Sequence, residues 1–371
     1  MVHKGSNDAH KLFTSTAGVN HGIKINMEIE KFRRLSMYPL PFAGAEGGAD
    51  PFLTKFAESC CDAGITVDRI PTQPSKDSTI CYVHWPHHWS RASTLKYSLG
   101  IGEPYAGNLP NKRTIWDAHD LVDHRTAPSA KRSLLIRYYK QMYLQADSVI
   151  VHENSAIAPL NEYFGERRLL PMIAPFGPFD VFHGPEISKK SARTSQFLPA
   201  DAQIFLLFGT DRENRRHEQV VSAFLKNSKS NQFLCVAGGN DGDVQVSVRN
   251  HPRVRFFGSY LANPVVRDLF CASDFVIEHG LRQLTSAVVR TAISYGKPVI
   301  SRDFGCTSDM AAGAAVWMSE DNSLCDIFAM LSNIPESDYL ALAWAASQRN
   351  SERTWSKFGN ALASTIDQLT R

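Results

Sequence analysis

Short apolar runs alternate with segments of helical periodicity along most of this chain, and that alternation leaves few folds open. The first series opens with a strand from Lys31 to Tyr38. A Gly-bearing loop follows, then Phe52, Phe56 and Cys60 recur at helical spacing up to Gly64. Further strands read at Ile65 to Ile70, Thr79 to Val83, Arg113 to Trp116 and Ser148 to His152, with a helix over Ser133 to Gln145. A second series starts at Ile204 to Phe208 and continues with strands at Phe233 to Ala237, Val254 to Phe257, Phe275 to Glu278 and Pro298 to Ser301. Helices separate these strands at Glu218 to Leu225, Pro264 to Cys271 and Ser286 to Tyr295. Strands alternating with helices predict parallel sheets, and two such series predict an α/β protein of two Rossmann-like domains.

Length agrees, since 371 residues exceed what one ordinary core takes. The expected organisation is a flexible arm at 1–30, an N-terminal domain at 31–180 and a linker at 181–200. A second domain follows at 201–351, then a terminal helix at 352–371. A formal net charge of +3 gives no case for nucleic acid. No apolar run approaches the roughly 20 residues that span a bilayer. No signal-peptide pattern opens the chain. The seven cysteines show no metal-site spacing, so a reduced cytoplasmic protein is expected.

Ligands of doubly wound sheets bind beyond the strand C-termini, so chemistry is sought there. One such stretch is FGTDRENRRHEQVVSAF, residues 208–224. Gly209 ends a strand, and Arg212 and Arg215 follow in a loop suited to bidentate bonds with phosphate oxygens. The same loop also fits a merely solvated charged turn. A second stretch carries Leu284-Thr285-Ser286-Ala287 at a helix start. Thr285 or Ser286 is a good N-cap, and the free N–H groups beyond it favour an anion. Glu278 ends the preceding strand. Two anion-binding features at strand ends of one domain fit the diphosphate of a nucleotide sugar better than either alone. In the N-terminal half, His84, Trp85, His87 and His88 follow one strand, and Asp117, His119, Asp120 and His124 follow another. Imidazoles, indoles and carboxylates there suit sugar hydroxyls and proton transfer.

With these motifs in order, the chain resembles a GT-B glycosyltransferase of the family-four type, closest to bacterial branches that build exopolysaccharide or capsule. The resemblance rests on Val83-His84-Trp85-Pro86, on His119-Asp120-Leu121-Val122-Asp123-His124, on Phe208 to Arg215 and on Leu284 to Ala287. Tyr295-Gly296-Lys297-Pro298 and the helix start at Thr354-Trp355 also match, and roughly residues 31 to 360 are covered. It implies two Rossmann-like domains facing across a cleft, with a last helix crossing back to the first. It also implies a hexose transferred from a GDP- or UDP-hexose to a glycan or lipid-linked acceptor. On that reading His119, Asp120 and His124 are catalytic, and His84 and Trp85 touch sugar or acceptor. Gly47, Gly48, Gly209, Arg212, Arg215, Glu278, Thr285, Ser286 and Ala287 hold the donor, with no metal and no cofactor.

The sequence departs from the pattern in several places. Arg215 replaces a lysine, Ala287 a glycine, Asp120 an asparagine and Phe176 a histidine. Gln283 and Thr291 stand where two glutamates usually flank the donor sugar, which leaves donor and stereochemistry open. Rival readings are a sugar-nucleotide epimerase on the same fold and an inactive partner of another transferase. A nicotinamide oxidoreductase fits less well, because no GxGxxG follows a strand. The segment Lys131 to Tyr143 mixes Arg132, Arg137 and Lys140 with apolar residues and points to an anionic membrane surface as a further partner. The same pattern fits a helix packed on its sheet with its basic residues solvated.

Overall fold

The computed structural model describes residues 33–38, 51–68, 79–84, 113–121, 130–210, 217–238, 250–258, 261–280, 283–319 and 324–371. Within them, twelve strands form two six-stranded sheets, and every strand pairing is parallel. The arm expected at 1–30 and the site residues Gly47, Gly48, Trp85, His124, Arg212 and Arg215 lie outside the described residues.

The first sheet comprises β1 (Arg34–Tyr38), β2 (Thr66–Asp68), β3 (Ile80–Val83), β4 (Arg113–Asp117), β5 (Ser148–Val151) and β6 (Met172–Ile173), in the order β2-β1-β3-β4-β5-β6. β3 and β5 are buried at every residue, because helices cover both faces of a parallel sheet. Helix α1 (Pro51–Asp62) starts on a proline, which needs no N–H at that position. Gly64, at φ 73°, turns the chain from it into β2. Helix α2 (Ala130–Gln145) turns its apolar side to the core: Leu135, Tyr138, Tyr139, Met142 and Tyr143 are buried while Arg137 and Lys140 are exposed. That side of the helix packs in the core, with Arg137 and Lys140 toward solvent. Among the described residues no helix is long and apolar enough to cross a membrane.

Helix α3 (Ile157–Phe164) lies between β5 and β6. The stretch 181–200 holds most of a short helix α4 (Asp180–His183) and all of α5 (Lys189–Ser195), capped by Ser188. The second sheet contains β7 (Gln203–Phe208), β8 (Gln232–Ala237), β9 (Val254–Phe257), β10 (Phe275–Ile277), β11 (Val299–Arg302) and β12 (Ala315–Met318). Their order is β12-β11-β10-β7-β8-β9. The order reverses between β7 and β10, where doubly wound sheets open their ligand crevice. Helices α6 (His217–Asn227), α7 (Asn263–Ala272), α8 (Ala287–Ser294), α9 (Cys306–Met310), α10 (Leu324–Leu331) and α11 (Glu336–Ser351) complete this domain.

The last helix, α12 (Trp355–Thr370), is capped by the Thr354 hydroxyl, which accepts from Lys357 N–H. Its residues Phe358, Leu362 and Ile366 join Phe56, Tyr82 and Ile150 in the core of the first domain. The chain thus returns to the domain it began with. Buried Arg290 of α8 fastens the junction: its Nε donates to Gly177 O at 2.9 Å and Nη2 to Asn350 Oδ1 at 2.9 Å. Phe179 N–H donates to Ser294 Oγ at 2.8 Å. These bonds tie α8 to the chain that follows β6 and to α11.

Candidate functional site

Three neighbouring strands of the first sheet end on titratable residues. β3 carries Tyr82 and runs into His84, β4 ends at Asp117 with His119 two residues on, and β5 runs into His152. Adjacent strands lie about 4.8 Å apart, so side chains at neighbouring ends meet. All of them meet at Asp117, which is fully buried. Its Oδ2 accepts from Tyr82 OH and lies 3.0 Å from His84 Nδ1 and 2.9 Å from His119 Nε2. His152 Nε2 sits 2.9 Å from Oδ1 without the alignment of a hydrogen bond. The other ring nitrogen of His152, Nδ1, lies 2.9 Å from Ala174 O.

Electrostatics follow from this packing. Burial opposes ionisation of Asp117, but His119 and then His152 outweigh it and hold the carboxyl well below its ordinary value. Burial, reinforced by His119, pushes His84 down to about 3, so that ring is neutral. Burial and then Asp117 raise the Tyr82 phenol well above its usual range. Aromatic faces keep the cluster dry: Phe52 stacks on His84 at 4.9 Å between ring centres, and Phe176 on His152 at 3.5 Å. His84 Nδ1, Asp117 Oδ2 and His119 Nε2 lie within 4.8 Å of one another, a spacing that could hold a small cation. Hydrogen bonding to an ionised Asp117 satisfies the same atoms.

Across the domain boundary lies the start of α8. Ser286 is its N-cap and accepts from Val289 N–H at 3.3 Å. The Ser286 hydroxyl in turn donates to Glu278 Oε2 at 2.7 Å, and Gly280 N–H donates to Glu278 Oε1 at 2.9 Å. Glu278 therefore braces the loop that precedes the helix. Thr285 Oγ1 lies against the Cys306 thiol, and Ala287 is exposed. Gly209, at φ 105°, closes β7 beside Gly238, whose hypothetical Cβ would lie 3.2 Å from Gly209 Cα. The two halves of the site touch at Cys306. Its thiol lies against Thr285 and against the backbone of His152 and Glu153, and its N–H donates to Leu284 O at 2.7 Å. All seven cysteines are free.

The structure thus joins His84 and His119 directly, and brings Thr285 and Ser286 to the same boundary. Asp120 follows His119 and is half-buried. Asp117, at the centre, was drawn from sequence only as one of the strand-end residues suited to proton transfer, and His152 behind it was not drawn as a site residue. Their signal was the one that marked His84: a polar residue at the end of a short apolar run.

No protein-family model matches the sequence, and no curated protein matches it. Solved structures do match in fold. Sucrose-phosphate synthase from Thermosynechococcus elongatus superposes with a TM-score of 0.69 at 15% identity, over 91% of this chain and 99% of that one. HepE from Anabaena, solved with UDP and glucose, gives 0.66 at 14% identity, over 90% and 99%. WaaG, a glycosyltransferase involved in lipopolysaccharide biosynthesis, gives 0.60 at 13% identity, again over 90% and 99%. The fold is the GT-B architecture of two Rossmann-like α/β domains facing across a cleft.

Proposed function

We propose that this chain is a glycosyltransferase that moves a hexose from a nucleoside diphosphate sugar to a glycan or lipid-linked acceptor. The observation that carries the reading is the meeting of two unlike half-sites in one GT-B fold. A His–Asp cluster at the ends of β3, β4 and β5 abuts, through Cys306, the capped N-terminus of α8. A helix N-terminus offers free N–H groups to an anion, here the leaving diphosphate. Arg212 and Arg215 are assigned to the same charge, with Gly209, Thr285, Ser286 and Ala287 shaping the donor loop. Electrostatic stabilisation of that kind needs no metal. Gly47 and Gly48 are assigned to close approach from the other domain, and Trp85 and His124 to the acceptor side. HepE was solved with UDP and glucose, which makes a UDP-hexose the first donor to try and a GDP-hexose the second. We place the enzyme in the cytoplasm, with a lipid-linked acceptor drawing it to the membrane surface in exopolysaccharide assembly.

The test is calorimetric titration with UDP-glucose and GDP-mannose, followed by radiolabelled donor with and without acceptor. Saturable binding of one donor and label transfer support the reading. Label retained in a rearranged nucleotide sugar would favour an epimerase, and no binding to either donor removes the reading.

A further inference from the structure

In each domain the strand N-termini lie at the pole away from the ligand crevice, and each pole carries an exposed surface of its own kind. In the first domain a cleft of about 370 Å³ opens where β4, β5 and β6 begin. Arg113, Arg167, Arg168 and Arg371 line it, and Asp147 is the single acidic residue of its walls. Arg113 bonds that carboxylate at 2.8 Å, while Arg167 Nη1 and Nη2 donate to the carbonyls of Tyr143 and Ala146. Arg168 is exposed, and the surface as a whole is positive. It is also apolar at its rim. Leu144 and Leu169 line the cleft, and Leu170, 78% exposed, follows directly. With Ile173 on the edge strand β6, these are the large apolar side chains exposed in the described part of the first domain.

The corresponding pole of the second domain has the opposite charge. Lys189 and Arg193 both bond Asp274, at 2.7 and 2.8 Å, just ahead of β10. Asp201, Glu336 and Asp338 stay exposed beside them. Helix α11 starts at Glu336, and Glu336, Leu340 and Trp344 follow at intervals of four, so they share one side of the helix. Leu340 is 55% and Trp344 66% exposed, and Ala346 is the one buried residue of α11. Single exposed apolar side chains are ordinary on any protein, whereas a Leu–Trp pair in line with an acidic turn makes a continuous stripe.

We infer that the chain associates with a second copy of itself head to tail, the arginine and leucine face of one copy seated on the acidic α11 face of the next. Charge selects this occupant. Pairing like faces about a two-fold axis would set arginines against arginines or carboxylates against carboxylates, which opposes association. Pairing unlike faces brings Arg168 and its neighbours to Glu336 and Asp338, and Leu169 and Leu170 to Leu340 and Trp344. Such a contact is heterologous. Each pair of copies still offers one free face of each kind, so assembly grows with concentration unless the rotation closes a ring. Both faces sit at strand N-termini, so the crevice at the strand C-termini stays open, and the inference is independent of the reaction proposed above.

The experiment is sedimentation velocity on the full chain over about a 100-fold range of concentration, at low and at high salt. The sedimentation coefficient should rise with concentration at low salt, and the rise should shrink at high salt, where the charge attraction is screened. Leu170→Asp spoils the basic face and Trp344→Arg the acidic one, and each should weaken self-association by at least about 10-fold. An equimolar mixture of the two variants should form a dimer and nothing larger, because one intact face of each kind remains and the two are complementary. If circular dichroism shows that either variant is unfolded, Arg168→Glu and Glu336→Arg take their places. A wild-type chain that stays monomeric at every concentration overturns the inference. So does unaltered association in either variant, or a mixture that stays monomeric. Parallel runs include vesicles of phosphatidylcholine and phosphatidylglycerol. A chain that binds these vesicles without associating with itself gives the arginine face to an anionic lipid surface and overturns the inference as well.

Discussion

Arg353 closes a bidentate ion pair on Glu153, with Nε 2.5 Å from Oε1 and Nη2 2.9 Å from Oε2, and both side chains are buried. Glu153 follows β5 directly after His152, and Arg353 lies between the two last helices. The pair joins the back of the His–Asp cluster to the chain that returns to the first domain. Removing either partner strands a buried charge. Glu153→Ala and Arg353→Ala should each cost about 3–5 kcal/mol in chemical unfolding. A wild-type denaturation midpoint in either variant would show that the pair contributes little.

Stability should fall with pH because of His84. The unfolded ring takes up its proton near pH 6.5, while the folded ring stays neutral down to about 3. Its folded value is the depressed one, so protons favour the unfolded chain throughout that window. Its stabilising contribution is complete above pH 6.5 and is lost as the pH falls toward 3, with a slope of up to about 1.4 kcal/mol per pH unit. Denaturant titrations at several pH values should find that slope in the native protein and a flatter one in His84→Asn. Equal slopes in the two proteins would refute the assignment.

Gly359 of α12 has no room for a side chain. A Cβ there would lie 2.2 Å from Ser59 O and 3.2 Å from Ala63 Cβ, so only glycine lets α12 rest on α1. Gly359→Ala should destabilise by about 1–3 kcal/mol through overpacking, although alanine favours an isolated helix. A rise in Tm would mean that the two helices are not in this contact.

Ser286 both caps α8 and holds Glu278. Ser286→Ala should cost about 0.5–2 kcal/mol from the cap alone. It should also weaken nucleotide-sugar binding, since the Glu278 carboxylate then faces the anion with one hydrogen bond fewer. Unfolding and calorimetry on the same preparation separate the two effects. Unchanged donor affinity would take Ser286 out of the binding site.

Exhaustive chelation tests the His84, Asp117 and His119 spacing against a cation. Donor turnover should survive dialysis against a strong chelator, because the cluster is satisfied as an ion-pair and hydrogen-bond network around Asp117. Loss of activity restored by a divalent metal would make these residues ligands instead.

Much of the fold is legible in local pattern. The runs at Ile80–Val83, Val149–Val151 and Ile204–Leu207 are apolar without interruption, as strands buried on both faces must be, and they lie in strands. Ser286 and Thr354 start helices because their hydroxyls satisfy N–H groups that no helix can satisfy within itself. Local pattern is weaker in the strand Ala315–Met318, where Met318 alone is buried, and in α11, where Ala346 alone is buried.

What the sequence determined by itself is the set of elements and the placing of polar residues at their ends, because period and capping are properties of neighbours along the chain. Only the tertiary structure decided that β3, β4 and β5 lie side by side, and so that His84, His119 and His152 share one carboxylate. Only it decided that the tyrosines of α2 face the core, and that Glu278 serves Ser286. These relations are set by strand order and by what packs on each face. They join residues tens of positions apart, where no local period carries the signal.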